Sequence, residues 1–204
     1  MTHIGHSEKV FNMRRLLIIL ILTLSFQNLS KADDIRDFQI EGIGVGDSLL
    51  DFVSKSEIEK NKDFKYPNKK YFDYLYLDKK DSIYDYFQFS IKDGDKNYII
   101  EDLTVGIYFK NNIKGCLKKM DEIFNDVSKT FSNLEKSEKN RQRKHRGDPS
   151  GKTTITENYF YFTSGALIAI QCQDYSKAMK YNDGLNIEIA SSSFYEWISS
   201  EAYN

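Results

Sequence analysis

The stretch TTITENYFYFTSGALIAIQCQDY, residues 153–175, decides the fold. Its first part, Thr153–Thr163, alternates strictly: Phe160 and Phe162 fall on one face, and Glu157, Tyr159 and Tyr161 on the other. Side chains of period two belong to a half-buried strand. Ser164-Gly165 is a tight-turn pair, and a second strand follows over Ala166–Tyr175. Ile168, Ile170 and Cys172 share its inner face, and Gln171 and Gln173 its outer one. Two strands joined by so short a turn are antiparallel neighbours. The reading is therefore an antiparallel hairpin with one apolar face.

The same logic extends outward. LNIEIAS, Leu185–Ser191, is a further strand with Asn186 and Glu188 outward. Upstream, KYFDYLYLD (Lys70–Asp78), IYDYFQFSI (Ile83–Ile91) and NYIIEDLTVGIYFK (Asn97–Lys110) read as three more. KDGDK between the last two is an Asp-Gly hairpin signal. Asp93-x-Asp95-x-Asn97 imitates the start of a calcium loop, but Tyr98 stands where its glycine belongs and Thr104 where its bidentate glutamate belongs.

Helices separate the strand sets. IKGCLKKMDEIFNDVSKTFSNL carries one apolar stripe: Ile113, Cys116, Leu117, Met120, Ile123, Phe124, Val127, Phe131 and Leu134. GIGVGDSLLDFVSKSEI reads as glycine turns before a helix capped at Asp47 or Ser48. Gly42, Gly44 and Gly46 lack the spacing of a dinucleotide fingerprint. SSFYEWI closes the chain as a helix, with Ser193-x-x-Glu196 as a capping box and Phe194, Trp197 and Ile198 as its buried face. The expected fold is α+β: an antiparallel sheet of about six strands in αβββ-αβββ-α order, with helices packed mainly on one face. The order hints at internal duplication without a residue-level repeat. Glu135–Lys152 reads as a charged, irregular loop.

The N-terminus reads as a leader. Arg14-Arg15 precede the apolar run Leu16–Phe26, too short to span a bilayer. Ser30-Lys31-Ala32 offers small residues at the −3 and −1 positions of a cut after Ala32. Met1 and Met13 are both available as the start. The expected organisation is a cleaved signal peptide over residues 1–32 and a single α+β domain over 33–204, with no later membrane span and a periplasmic address. Cleavage leaves 172 residues, with 25 basic against 29 acidic side chains. That mild acidity argues against a general nucleic-acid binder. Export to an oxidising compartment makes the pair Cys116 and Cys172 a candidate disulfide, both facing inward; two separately buried thiols are the alternative.

Few chemistries are on offer. His145 is the one histidine beyond the leader, so a histidine-rich zinc site and a histidine-based triad are disfavoured. No catalytic residue, metal ligand or cofactor site is nominated. RGD at Arg146–Asp148 and GKT at Gly151–Thr153 are a polar connection, since only three residues separate Gly147 from Gly151 where a phosphate loop needs four. From Lys136 to Lys152 seven basic residues face two acidic ones, fitting either an anionic partner or a solvated loop. The more useful pattern is aromatic. Phe87, Phe89 and Ile91 segregate from Tyr84, Tyr86 and Gln88, as Phe160 and Phe162 do from Tyr159 and Tyr161. Tyr84, Tyr86, Tyr159 and Tyr161 are thus the candidate binding residues of a helix-free sheet face, suited to a protein or polysaccharide partner in the cell envelope.

ADDIRDFQIEGIGVGDSLLDF (Ala32–Phe52), KNYIIEDLTVGIYF, the Cys116 helix, SGKTTIT and IQCQDY together resemble a family of short exported proteins of marine alphaproteobacteria. The resemblance implies a periplasmic address and carries over no activity and no catalytic residue. The functional expectation is a non-enzymatic periplasmic binding or interaction module. The alternatives are an envelope-assembly accessory and, last, a carboxylate-dependent hydrolase.

Overall fold

The computed structural model describes residues 34–77 and 81–204. The leader expected over residues 1–32, with its cut after Ala32, lies outside the described residues. The described residues all belong to one unit, Ala32–Asn204.

Among the described residues a 3-10 turn, Ile35–Asp37, leads into a hairpin: β1 (Gln39–Ile40) and β2 (Ile43–Gly44). Gly42, at φ +79°, supplies the left-handed step between them. The helix expected from the glycine turns is split in two. Ser48 accepts a hydrogen bond from the Leu50 amide and starts a single 3-10 turn, Leu49–Asp51. Ser54 then accepts from the Glu57 amide and starts α1, Lys55–Asn61. A second N-cap interrupts what the apolar spacing alone would run together.

Eight further strands and one helix follow before the last helix. They are β3 (Tyr71–Leu77), β4 (Tyr86–Lys92), β5 (Ile100–Tyr108), α2 (Ile113–Thr130), β6 (Glu135–Lys136), β7 (Arg141–Lys144), β8 (Thr154–Tyr161), β9 (Leu167–Asp174) and β10 (Gly184–Ala190), with α3 (Ser192–Ser200) closing the chain. The main sheet has eight antiparallel strands in the order β3-β4-β5-β10-β9-β8-β6, with β7 also on β8. The first half keeps the expected αβββ order, whereas β6 and β7 are inserted between α2 and the expected strands of the second. The meander β3-β4-β5 meets the meander β8-β9-β10 through the antiparallel pair β5·β10, so the two halves are arranged as mirror orders about that pair.

The strand count exceeds six because the basic run does not stay irregular. β6 and β7 pair with β8, where Arg141 stands opposite Glu157 and Arg143 opposite Ile155. An exposed strand edge offers unpaired backbone groups, and a hydrophilic segment can satisfy them.

α2 behaves as its stripe predicts. Asn112 caps it through the Gly115 amide, and Cys116 and Met120 are fully buried against the inner sheet face. They belong to the same buried cluster as Phe87, Phe89, Leu103, Ile168, Ile170 and Ile187. Cys116 and Cys172 form a disulfide, their Cα atoms 6.0 Å apart, which ties the first turns of α2 to β9. The helices share mainly one face, with α1 and α2 both in the inner core, but the last is an exception. α3, capped by Ser191 rather than Ser193, lies on the opposite face. Its Phe194 and Trp197 bury Tyr71 of β3, Leu167 and Ala169 of β9 and Ala190 of β10. No helix among the described residues is long and apolar enough to cross a membrane.

Candidate binding groove on the outer sheet face

The outer face is covered by α3 over only part of its area. Beyond α3, rows of side chains run across the strands and can be read from the register. One row is Leu77, Tyr86, Gly106, Asn186, Gln171, Glu157 and Arg141. Gly106 is the permissive position. A Cβ built there would stand 2.1 Å from the Tyr86 ring, so only glycine lets the phenol lie across β5. The Tyr86 hydroxyl thereby reaches β10 and donates to Asn186 Oδ1 at 2.6 Å.

Beside Tyr86 an open groove of about 330 Å³ is walled by Leu75, Leu77, Tyr108, Tyr175 and Tyr181. Its floor carries the amides Gln88, Gln173 and Asn186. Leu75 is 50%, Leu77 54%, Tyr108 46% and Tyr181 65% exposed. Large apolar side chains so exposed and so grouped mark an interaction surface, whereas scattered ones do not. Aromatic walls over fixed amide groups also match the composition of ligand sites.

The four tyrosines predicted for this face do not act together. Tyr86 lines the groove. Tyr84 does not; it packs into the inner core against Phe87, ring centroids 5.7 Å apart. Regular alternation starts only at Tyr86, because Glu41 holds the preceding bend through the Ser82 hydroxyl (3.0 Å) and the Ile83 amide (3.3 Å). Tyr159 and Tyr161 do face outward but stack on each other at 5.9 Å, next to α3. The Tyr159 hydroxyl donates to Glu157 Oε2 at 3.0 Å. Four strand spacings, about 19 Å, part Tyr159 from Tyr86. The groove residues that alternation missed are Leu75, Leu77, Tyr108, Tyr175 and Tyr181. The signal for the leucines was present: DYLYL is apolar at both parities, so its outer face could not be a purely wet one.

A set of carboxylates lies on the same outer face without lining the groove. Asp102 is 2% exposed. Ser90 Oγ donates to Asp73 Oδ1 at 2.7 Å and lies 3.4 Å from Asp102 Oδ2, while Asp102 Oδ1 has no hydrogen-bond partner among the described residues. Lys65 Nζ stands 3.0 Å from Asp73 Oδ2 and donates to Gln88 Oε1 at 2.6 Å. Burial, then the charges of Glu188 and Asp73, push the Asp102 carboxyl well above the usual range. Burial also pushes Glu188 up, to about 7. A carboxyl raised on folding stays protonated in the fold after the unfolded chain has ionised, so its stabilising contribution is present below pH 4.5 and is lost as pH rises toward 7. Thermal unfolding followed from pH 4.5 to 7.5 should therefore show a falling midpoint, and Glu188→Gln should flatten that slope. A midpoint equally steep in the variant would show that Glu188 is not the group responsible.

The two famous motifs of the charged connection are closed. Asp148 of the RGD tripeptide is buried. Its carboxylate accepts from the Ser150 amide (2.8 Å) and hydroxyl (2.9 Å) and from the Thr153 amide (2.9 Å) and hydroxyl (2.7 Å). These bonds hold its pKa down, the Thr153 hydroxyl most of all. The aspartate is spent on the turn, and Thr153 with it. His145 accepts from the Gly147 amide and does the same local work. Among the described residues no group of three or more His, Cys, Asp or Glu could hold a metal ion.

No family model, no curated protein and no solved structure matches the chain.

Proposed function

We propose that this chain is a non-enzymatic binding module of the periplasm whose ligand surface is the groove between Tyr86 and Tyr181. The observation that carries the reading is the group of exposed apolar walls, Leu75, Leu77, Tyr108 and Tyr181, over an amide floor. The periplasmic part rests on the leader sequence, on the resemblance to exported alphaproteobacterial proteins and on the Cys116–Cys172 bridge, a bond typical of oxidising compartments. The carboxylate-hydrolase alternative has Asp102 and Glu188 in its favour as two raised carboxyls on one face. Neither lines the groove, so no bound substrate there is placed between them.

The test is site-specific photocrosslinking in the exporting cell. Benzoylphenylalanine at Tyr181 should give discrete adducts, and the same group at Phe52, 45% exposed but outside the groove, should give none. Adducts equally strong at both positions, or none at Tyr181, would remove the groove from the functional account.

A further inference from the structure

The groove uses one arrangement of side chains twice. Tyr108 and Tyr181 are its exposed rings, and each is braced by a more buried tyrosine. Tyr86 packs against Tyr108 with ring centroids 5.8 Å apart, and Tyr175 meets Tyr181 edge-on at 5.2 Å. Each bracing tyrosine also turns an amide. The Tyr86 hydroxyl donates to Asn186 Oδ1, and the Tyr175 hydroxyl to Gln173 Oε1. The third floor amide is turned in the same way, since Lys65 Nζ donates to Gln88 Oε1. All three carbonyl oxygens are thus engaged, while the three NH2 groups have no hydrogen-bond partner among the described residues. Each such nitrogen can donate twice. The floor amides therefore offer donors, and the walls offer flat aromatic faces. The floor is also long. By the register, Gln88 on β4 and Gln173 on β9 stand three strand spacings and four residues apart, about 20 Å between their backbones.

From this arrangement we infer that the groove binds an acidic oligosaccharide, a chain of pyranose rings that carries carboxylate. The inference rests on the proposed function and names its ligand class. Ring C–H groups, slightly positive, lie against the negative faces of Tyr108 and Tyr181. Ring hydroxyls accept from the three amides and turn their own hydrogens to solvent at the open side of the groove. The carboxylate meets Lys180, which among the described residues is the one charged side chain of the lining and has no ion pair. Two like tyrosine–amide units suit a ligand that is itself a repeat. A peptide fits less well, because it brings N–H groups as well as C=O groups and the floor amides answer only the second.

The test titrates two probes of one backbone into the isotope-labelled protein and follows its side-chain amide signals by NMR. The probes are cellotetraose and the same tetrasaccharide with its primary alcohols oxidised to carboxylates. Both present flat C–H faces, and only the second is charged. The NH2 signals of Gln88, Gln173 and Asn186 should shift on binding, and the oxidised probe should bind about tenfold more tightly than the neutral one. Lys180→Gln should bring the two probes within about twofold of each other. Tyr181→Ala should weaken the oxidised probe about tenfold. Tyr181 is 65% exposed, so that variant should keep the parent's unfolding midpoint. Unmoved NH2 signals with both probes would overturn the saccharide assignment. So would a preference for charge that survives Lys180→Gln, or tighter binding of an alternating threonine–valine heptapeptide at the same amides. Tyr181 photoadducts persisting in any of those cases would leave the groove's role standing, which separates this failure from failure of the function itself.

Discussion

Replacing Cys116 and Cys172 together by alanine should lower the stability of the chain by about 4 kcal/mol. The bridge closes a loop whose ends are 56 residues apart in sequence, containing most of α2, β6, β7, β8 and the turn into β9. Cross-linking so long a loop restricts the unfolded ensemble strongly, and the chain-entropy relation gives about 4 kcal/mol for this length. Both half-cystines are fully buried, so the pair also fills core volume between α2 and β9. In a chain of this size each kcal/mol moves the unfolding midpoint by about 2–4 °C, so a fall of about 10 °C is expected. Urea unfolding of the oxidised and the double-alanine protein measures it directly. A loss below about 1 kcal/mol would mean that the unfolded chain is already compact across this loop. The single variants inform less, because each leaves one buried thiol in place of the bond.

The bridge was legible from sequence to a limited degree, and the reason is instructive. Cys116 lies on an apolar helical stripe and Cys172 on an apolar strand face, so each could be turned inward by periodicity alone. What periodicity cannot supply is which inward residues meet. The same boundary runs through the whole fold. β8, β9 and β10 are readable because large apolar residues alternate with polar or smaller ones along them, although α3 and the β7 arginines bury much of the outer face too. β7 is not readable, since all four of its residues are exposed and its strand character comes from pairing with an edge. The amphipathic stripe of α3 shows that Phe194 and Trp197 are covered, but a stripe does not say which side of a sheet covers them. At the candidate site Tyr86 was found by alternation, whereas Tyr84 was misassigned because alternation was carried past the start of its strand. Tyr181 comes from a connection with no period at all, and Tyr175 stands one residue past the end of β9, at the outward parity of the strand read over Ala166–Tyr175 but not nominated from it.

Glu157 shows most sharply what the pairing adds. Alternation places it outward, and on a bare sheet face it would be solvated. Instead its side chain is completely buried. Arg141 donates to Oε1 through Nε (3.0 Å) and Nη2 (2.5 Å), and Arg143 donates to Oε2 through Nε (2.8 Å). Two cations of the run expected to be a loose connection thus hold one buried anion, and they hold β7 on β8 with it. Deleting both arginines should be costly for a surface change. Arg141→Ala with Arg143→Ala leaves an uncompensated buried carboxylate, for which about 3–5 kcal/mol is the usual loss. The arginines themselves are partly exposed, so water entering their place compensates in part, and the lower end, about 3 kcal/mol, is expected. Glu157→Gln should cost less, because it leaves two guanidinium groups that solvent already reaches. In the double-arginine background the same Glu157→Gln change should restore stability, since it removes the unpaired charge. That reversal of sign separates a charge clamp from simple packing: if Glu157→Gln destabilises both backgrounds equally in urea unfolding, the arginines contribute by covering the sheet and not by their charge.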